Sequence, residues 1–178
     1  MTMASAADRA GFVSNEKGLT VIELVAVMVL MGILITMAMI SYQTMQQRYQ
    51  VEQKVKQMYT DLMNTRVRAM QRGRDHFVTM ATGTTAYRIY EDTFISPDGN
   101  GAFDGGDALL TTQSTAPYTL VLSTASLTLV QFNSKGLVAG TTGWVKINTT
   151  VSGEYDCIQI DQIRTGMGKI NGANCVVK

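Results

Sequence analysis

Apolar and polar positions divide the chain into three stretches of different periodicity. Residues 19–40 read LTVIELVAVMVLMGILITMAMI, with Glu23 the only charge. About 20 such residues are enough to cross a hydrocarbon core as a helix. Residues 41–72 contain neither Gly nor Pro and are rich in Gln, Met, Lys, Arg and Val, so the helix is expected to continue. Within this second part Val51, Val55, Met58, Leu62, Thr65 and Ala69 recur at spacings of four and three. They fall on one stripe, which Tyr59, Met63 and Met70 widen. Gly73 supplies a stop. The pattern therefore predicts one helix of about 50 residues, roughly 80 Å at about 1.5 Å per residue, apolar all round at first and amphipathic afterwards.

Beyond Gly73 the pattern changes to short runs with β character: 76–81, 85–90, 118–122, 127–132, 144–148 and 155–160. Gly83, Gly136, Gly140, Gly143 and Gly153 lie between them, which favours hairpins over crossover units. The expected fold class is α+β: a long N-terminal helix whose amphipathic half is wrapped by antiparallel strands. The expected organisation is a leader over 1–18, a membrane-spanning half-helix over 19–40, an amphipathic half over 41–73, and a β-rich head over 74–178 that packs with 41–73 as one domain.

Composition changes this picture only in places. The formal net charge of +1 gives no global attraction to a polyanion. Residues 1–18 are polar and unpatterned, and carry Asp8, Arg9, Glu16 and Lys17. A secretory signal would have a shorter apolar core with its cleavage site on the far side, whereas here the candidate site lies on the near side. Basic residues flank the span on both sides, so they do not decide its orientation. The only two cysteines, Cys157 and Cys175, lie near the C-terminus. A disulfide between them fits an exported domain and would contribute on the order of 3 kcal/mol; two buried free thiols are the alternative.

A carboxylate inside a spanning helix costs about 2.5–3.5 kcal/mol on insertion scales unless something compensates it. Glu23 therefore needs a partner or a route to water. Cleavage after Gly18 would create a partner, because the new amine on Leu19 carries a proton up to an unperturbed pKa of about 7.7–8.0. Between staggered neighbouring chains, Glu23 of one would neutralise the amine of another.

The string Lys17-Gly18-Leu19-Thr20-Val21-Ile22-Glu23-Leu24, followed directly by the span, resembles the prepilin peptidase site of type IV pilins and type II secretion pseudopilins. The resemblance makes Gly18 the last leader residue, Leu19 the new N-methylated first residue and Glu23 the fifth, which sets register during assembly. The first mature residue is Leu where Phe is commoner, and no Pro occurs near Ile40, where many pilins kink. Residues 61–73, leading into a strand, together with 87–92, 132–136 and 165–169, are similar to the GspH/FimT-like branch of H-type pseudopilins and minor pilins. Membership implies a structural subunit in the bacterial inner membrane with its head in the periplasm. Its implied partners are prepilin peptidase, other pilins or pseudopilins and secreted proteins. No cofactor is implied.

Three further groups carry weaker chemistry. Asp98, Asn100, Asp104 and Asp107 gather oxygen ligands suited to calcium, but the spacing does not fit an EF-hand, and a solvated Gly/Asp turn is the better reading. Arg66, Arg68, Arg72 and Arg74 cluster at the helix end. With Lys169 they are candidate contacts to DNA, which some minor pilins of this branch capture; a solvated face with local ion pairs is the simpler reading. His76 is the only histidine, and neither a nucleotide loop nor a Cys/His metal cluster occurs, so an enzyme is not expected.

Overall fold

An unbroken run of good helix formers without an internal proline gives α1, Val21–Arg72. It ends where Gly73 turns into the left-handed region at φ 66°, a conformation that glycine adopts without cost. The structure, a computed structural model, describes Gly18 and residues 20–94, 99–151 and 153–178, with the side chain of Ile40 left out. The chain forms two compact units, Met1–Ser41 and Tyr42–Lys178.

In the second unit the helix is buried along one stripe. Val51, Val55, Met58, Leu62, Thr65 and Ala69, the positions chosen by spacing, are all 1% exposed or less. Tyr59 and Met63 pack beside them. Met70 does not belong to the stripe: it is 45% exposed, with its thioether lying over Gly136. One helical position beyond Ala69, it has rotated off the buried face.

Among the described residues ten strands cover this stripe: β1 (His76–Thr79), β2 (Ala86–Glu91), β3 (Ala108–Ser114), β4 (Thr119–Leu122), β5 (Leu129–Phe132), β6 (Val138–Ala139), β7 (Gly143–Asn148), β8 (Cys157–Ile160), β9 (Thr165–Asn171) and β10 (Asn174–Val177). They form two five-stranded sheets, ordered β3-β2-β1-β5-β6 and β10-β9-β8-β7-β4, and every pairing is antiparallel. The α+β class with antiparallel sheet holds. The six expected strands are all present, four of them shortened, β2 shifted one residue to end at Glu91 and β7 begun one residue earlier at Gly143, whereas β3, β6, β9 and β10 were not expected. Alternate residues of both sheets meet the helix in one core, with Val78, Ile89, Val130 and Phe132 from the first and Leu120, Val145, Ile147, Ile158 and Ile160 from the second.

Backbone bonds join the sheets at two edges. The β1–β2 turn pairs with β4 through Leu120 N–H to Thr84 O (2.8 Å) and Gly83 N–H to Leu120 O (2.9 Å). The β8–β9 turn meets β6 through Val138 N–H to Gln162 O (2.9 Å). The groups at these edges thus find backbone partners rather than remaining open to pairing with another chain.

Cys157 on β8 and Cys175 on β10 form a disulfide, with Cα atoms 6.0 Å apart. Their strands are not neighbours, since β9 runs between them. Strands two apart in a flat sheet lie about 9–10 Å from one another, so β10 must curl over β9. Gly168 permits this. It pairs with Cys157 on one side and Val177 on the other, and a Cβ there would lie 2.3 Å from the Val176 carbonyl oxygen. The side-chain-free stretch of β9 is what brings the two sulfurs together.

A hydrogen bond from a buried tyrosine helps fix the first sheet on the helix. The Tyr87 hydroxyl donates to Asp61 Oδ2 at 2.6 Å, with the ring 2% exposed. Burial, then the hydrogen bond and charge of Asp61, push the phenol well above its ordinary pKa. Replacing Tyr87 with Phe is expected to cost about 1–2 kcal/mol, at the lower end for a bond to a charged group because Asp61 keeps some solvent contact. A shift of the urea midpoint with unchanged slope is the expected result; an unchanged midpoint would show that the bond contributes nothing.

Candidate functional site

The described residues of the first unit form no core. From Val21 to Met39 every described side chain is exposed, including Val21 (82%), Leu34 (66%) and Met37 (67%). Mean hydropathy reaches 2.6 over an 18-residue window of this helix, none of it buried. A helix that is apolar on all sides needs lipid or other helices around it.

At its start stand Gly18 and Thr20, both outside the helix, while Leu19 lies outside the described residues. Thr20 is the N-cap. Its carbonyl oxygen accepts the N–H groups of Leu24 (3.2 Å) and Glu23 (3.1 Å), and its Oγ1 also accepts the Glu23 N–H at 3.3 Å. Glu23 is thus the third helical residue, in the first turn, where the positive end of the helix dipole favours an acid. Thr-x-x-Glu is the sequence signature of a capping box. The three-residue spacing of Thr20 and Glu23 is a sequence signal of the helix start that the sequence reading above does not use.

The basic cluster is partly neutralised. Arg72 Nη1 reaches both oxygens of Glu91, at 2.6 and 2.9 Å, and Arg74 lies 3.9 Å from the same carboxylate, which is almost wholly buried. Arg66 is half-buried and Arg68 exposed on the same helix. Lys169 is exposed on β9, in the other sheet from Glu91. The fold therefore does not gather the helix-end arginines and Lys169 on one element. Glu91, which sequence reading did not single out, is the residue that holds the helix end.

The acidic loop uses its oxygens on its own backbone. Asp107 accepts N–H groups from Asp104 (3.0 Å), Thr93 (3.3 Å) and Phe94 (3.4 Å). Asp104 accepts from Gly106 (3.1 Å) and from the Asn100 amide (2.9 Å), and Asn100 Oδ1 accepts from Ala102 (2.9 Å). Asp98 lies outside the described residues. The organiser is Asp92, 1% exposed, whose carboxylate takes the N–H groups of Asn100 (3.1 Å) and Gly101 (2.6 Å). Gly99 makes room for it at φ 81°, where a Cβ would lie 2.3 Å from the carboxylate. Phe103 seats the loop on the first sheet through edge contacts to Phe77 (5.5 Å) and Tyr90 (5.0 Å). Among the described residues no three His, Cys, Asp or Glu side chains are grouped to hold a metal ion.

A helix that is apolar and unburied at its start, then wrapped by antiparallel sheets, defines a pilin-like subunit. The chain belongs to the family described as type II transport protein GspH, which matches residues 54–164. No curated protein and no solved structure matches it. The family match covers the amphipathic helix from Lys54 onward and the strands up to the β8–β9 turn, and does not include the segment around Glu23.

His76 reports on this head. It is fully buried, its Nδ1 lies 3.2 Å from the Arg74 carbonyl oxygen, and its Nε2 has no partner. Burial lowers its pKa below the usual histidine value, against smaller opposing contributions from the Arg74 carbonyl and Glu91. Below about pH 6.5 the unfolded chain therefore binds a proton that the folded one refuses, and stability falls as pH drops from there toward the depressed native value. Thermal melts from pH 7.5 to 5.5 should show this loss, and His76→Phe should flatten it. An equally steep profile in the variant would assign the effect to other groups.

Proposed function

We propose that the protein is a minor pseudopilin of a type II secretion system, held in the bacterial inner membrane by residues 19–40 with its head in the periplasm. Prepilin peptidase cuts between Gly18 and Leu19, the new amine is methylated, and the subunit enters a filament with other pseudopilins. The observation that carries this reading is the helix start: nineteen consecutive positions, Val21–Met39, apolar or small except Glu23, and all exposed. Family membership supports the secretion assignment. The role is mechanical rather than catalytic: the apolar half-helices bundle, and the disulfide-closed head presents a surface to other subunits or to secreted proteins. The alternative of a DNA-capturing minor pilin draws less support, because Glu91 occupies Arg72 and Arg74.

In the bundle, Glu23 of one subunit pairs with the Leu19 amine of its neighbour. The pair forms only at one axial stagger, so it sets register as well as relieving a charge in a low-dielectric setting. Glu23→Ala should insert into the membrane as the wild type does, yet enter sheared filaments at least about tenfold less, on the basis that leaving a buried charge unpaired costs several kcal/mol. Glu23→Gln should share the defect, since it keeps the shape and loses the charge. Wild-type incorporation of either variant would contradict the pairing.

A further inference from the structure

The outermost strand of a sheet leaves half of its N–H and carbonyl groups without a neighbouring strand, and folded chains cover or blunt such edges. Among the described residues the two sheets end on four strands, β3, β6, β4 and β10. The β1–β2 turn bonds to β4, and the β8–β9 turn bonds to β6. On β3 the register against β2 slips between Ile89 and Tyr90, Lys54 Nζ donates to the Ser114 carbonyl oxygen at 3.0 Å, and Gln57 reaches Gln113 at 3.3 Å. β10 differs. The Lys178 N–H donates to Met167 O at 3.2 Å, which sets the alternation of the ladder with β9. Val176 therefore turns its N–H and carbonyl toward Lys169, whereas those of Cys175 and Val177 point away from β9. The facing strand agrees: Ile170, opposite Cys175, sends its N–H away from β10 to Asp156 Oδ1 at 2.8 Å. Among the described residues no backbone group meets the outward groups of Cys175 and Val177.

We propose that β10 is a docking edge that takes an extended, acidic segment of another protein as a sixth strand of the second sheet. This deepens the reading that the head presents a surface to other chains, and its failure would leave insertion, processing and filament entry untouched. The side chains along the edge select the occupant. Residues two apart on a strand share a face, and so do paired residues, so Val176, Lys178 and Lys169 stand together, all exposed. With Ile170 and Asn171 they line an open groove of about 340 Å³. Val176 is 51% exposed, and Lys169 makes no ion pair among the described residues. Lys178 lies 3.6 Å from Glu154, an exposed pair of little strength, and 5.7 Å from the centre of the Tyr155 ring. An added strand thus meets an apolar side chain with a positive charge two residues further on, which suits an apolar residue with acids at the second position on either side. The Cys157–Cys175 disulfide ties this edge to β8, so the strand is held ready for pairing before a partner arrives. A nucleic acid would satisfy the lysines and leave the outward backbone groups of Cys175 and Val177 unmatched.

The test uses the full chain in detergent micelles and a fluorophore-labelled peptide, Thr-Glu-Thr-Val-Thr-Glu-Thr with blocked ends, which sets an acid beside its valine whichever way it runs. Fluorescence anisotropy should show saturable binding at concentrations up to about 1 mM. Val177→Pro removes an outward N–H and no bond to β9, and should weaken binding about fivefold, the size of one hydrogen bond. Lys169→Glu combined with Lys178→Glu should weaken it at least as much, and should bind instead the peptide that carries Lys in place of Glu. Intact Cys157–Cys175 pairing, checked by non-reducing mobility, shows that each variant head has folded. Absence of binding to the wild type, equal binding by Val177→Pro, or failure of the charge-swapped peptide to bind the double variant would overturn the proposal. So would a single-stranded DNA that displaces the peptide and binds Val177→Pro as tightly as wild type, or self-association of the protein that the peptide cannot compete away and Val177→Pro abolishes, the first assigning the lysines to nucleic acid and the second assigning the edge to another copy of this chain.

Discussion

Burial of a single stripe, Val51 to Ala69, organises the head: two sheets that share no strand are held in one core because both pack on the same helix face. Val51, Val55, Met58 and Leu62 each contribute about 1.5–3 kcal/mol on leaving water. The same helix has a second apolar region, Val21 to Met39, whose side chains are all exposed. A continuous surface of that kind is far larger than a soluble monomer exposes, so it must be taken up by lipid or by other chains. Membrane insertion and filament assembly are two ways of meeting that one requirement, and the family to which the chain belongs is consistent with both.

How much of this was legible depended on whether the signal was local. The helical stripe was fully readable, because a 3.6-residue period declares itself within one element; only Met70 was misplaced, at the edge of the face. Strands with alternating or β-branched runs were equally plain. The four that were missed each lack such a run. β3 is an edge strand with little burial, ending in Thr-Thr-Gln-Ser; β6 has two residues; β9 is interrupted by Gly166 and Gly168; and β10 is a short return after a turn. Those glycines depress the strand signal for the same reason that they matter, since their missing side chains let β10 curl back and Cys175 reach Cys157.

Site residues followed the same rule. Glu23 was conspicuous because a charge in an apolar run is a local anomaly, and its capping partner Thr20 was three residues away and also readable. The arginine cluster was visible as a cluster, but its counter-charge was not: Glu91 lies nineteen positions beyond Arg72 and reaches it only because β2 returns past the helix end. Likewise the acidic loop reads as a ligand set until Asp92, buried beneath it, shows where the backbone N–H groups are directed. Side chains that organise a loop and side chains that bind an ion have the same composition, and folding alone separates them.

A head closed by core packing and one disulfide is joined to a half-helix whose apolar surface is left for membrane and neighbours, with Thr20, Glu23 and the Gly18–Leu19 bond at its free end. The most direct measurement is the intact mass and N-terminal sequence of the protein recovered from membranes of a host that carries the secretion system. The account predicts a chain that begins at Leu19, with a methylated amine and the apolar run retained. A chain that keeps Met1–Gly18, or one cut on the far side of the apolar run so that the head is released without it, would contradict the account.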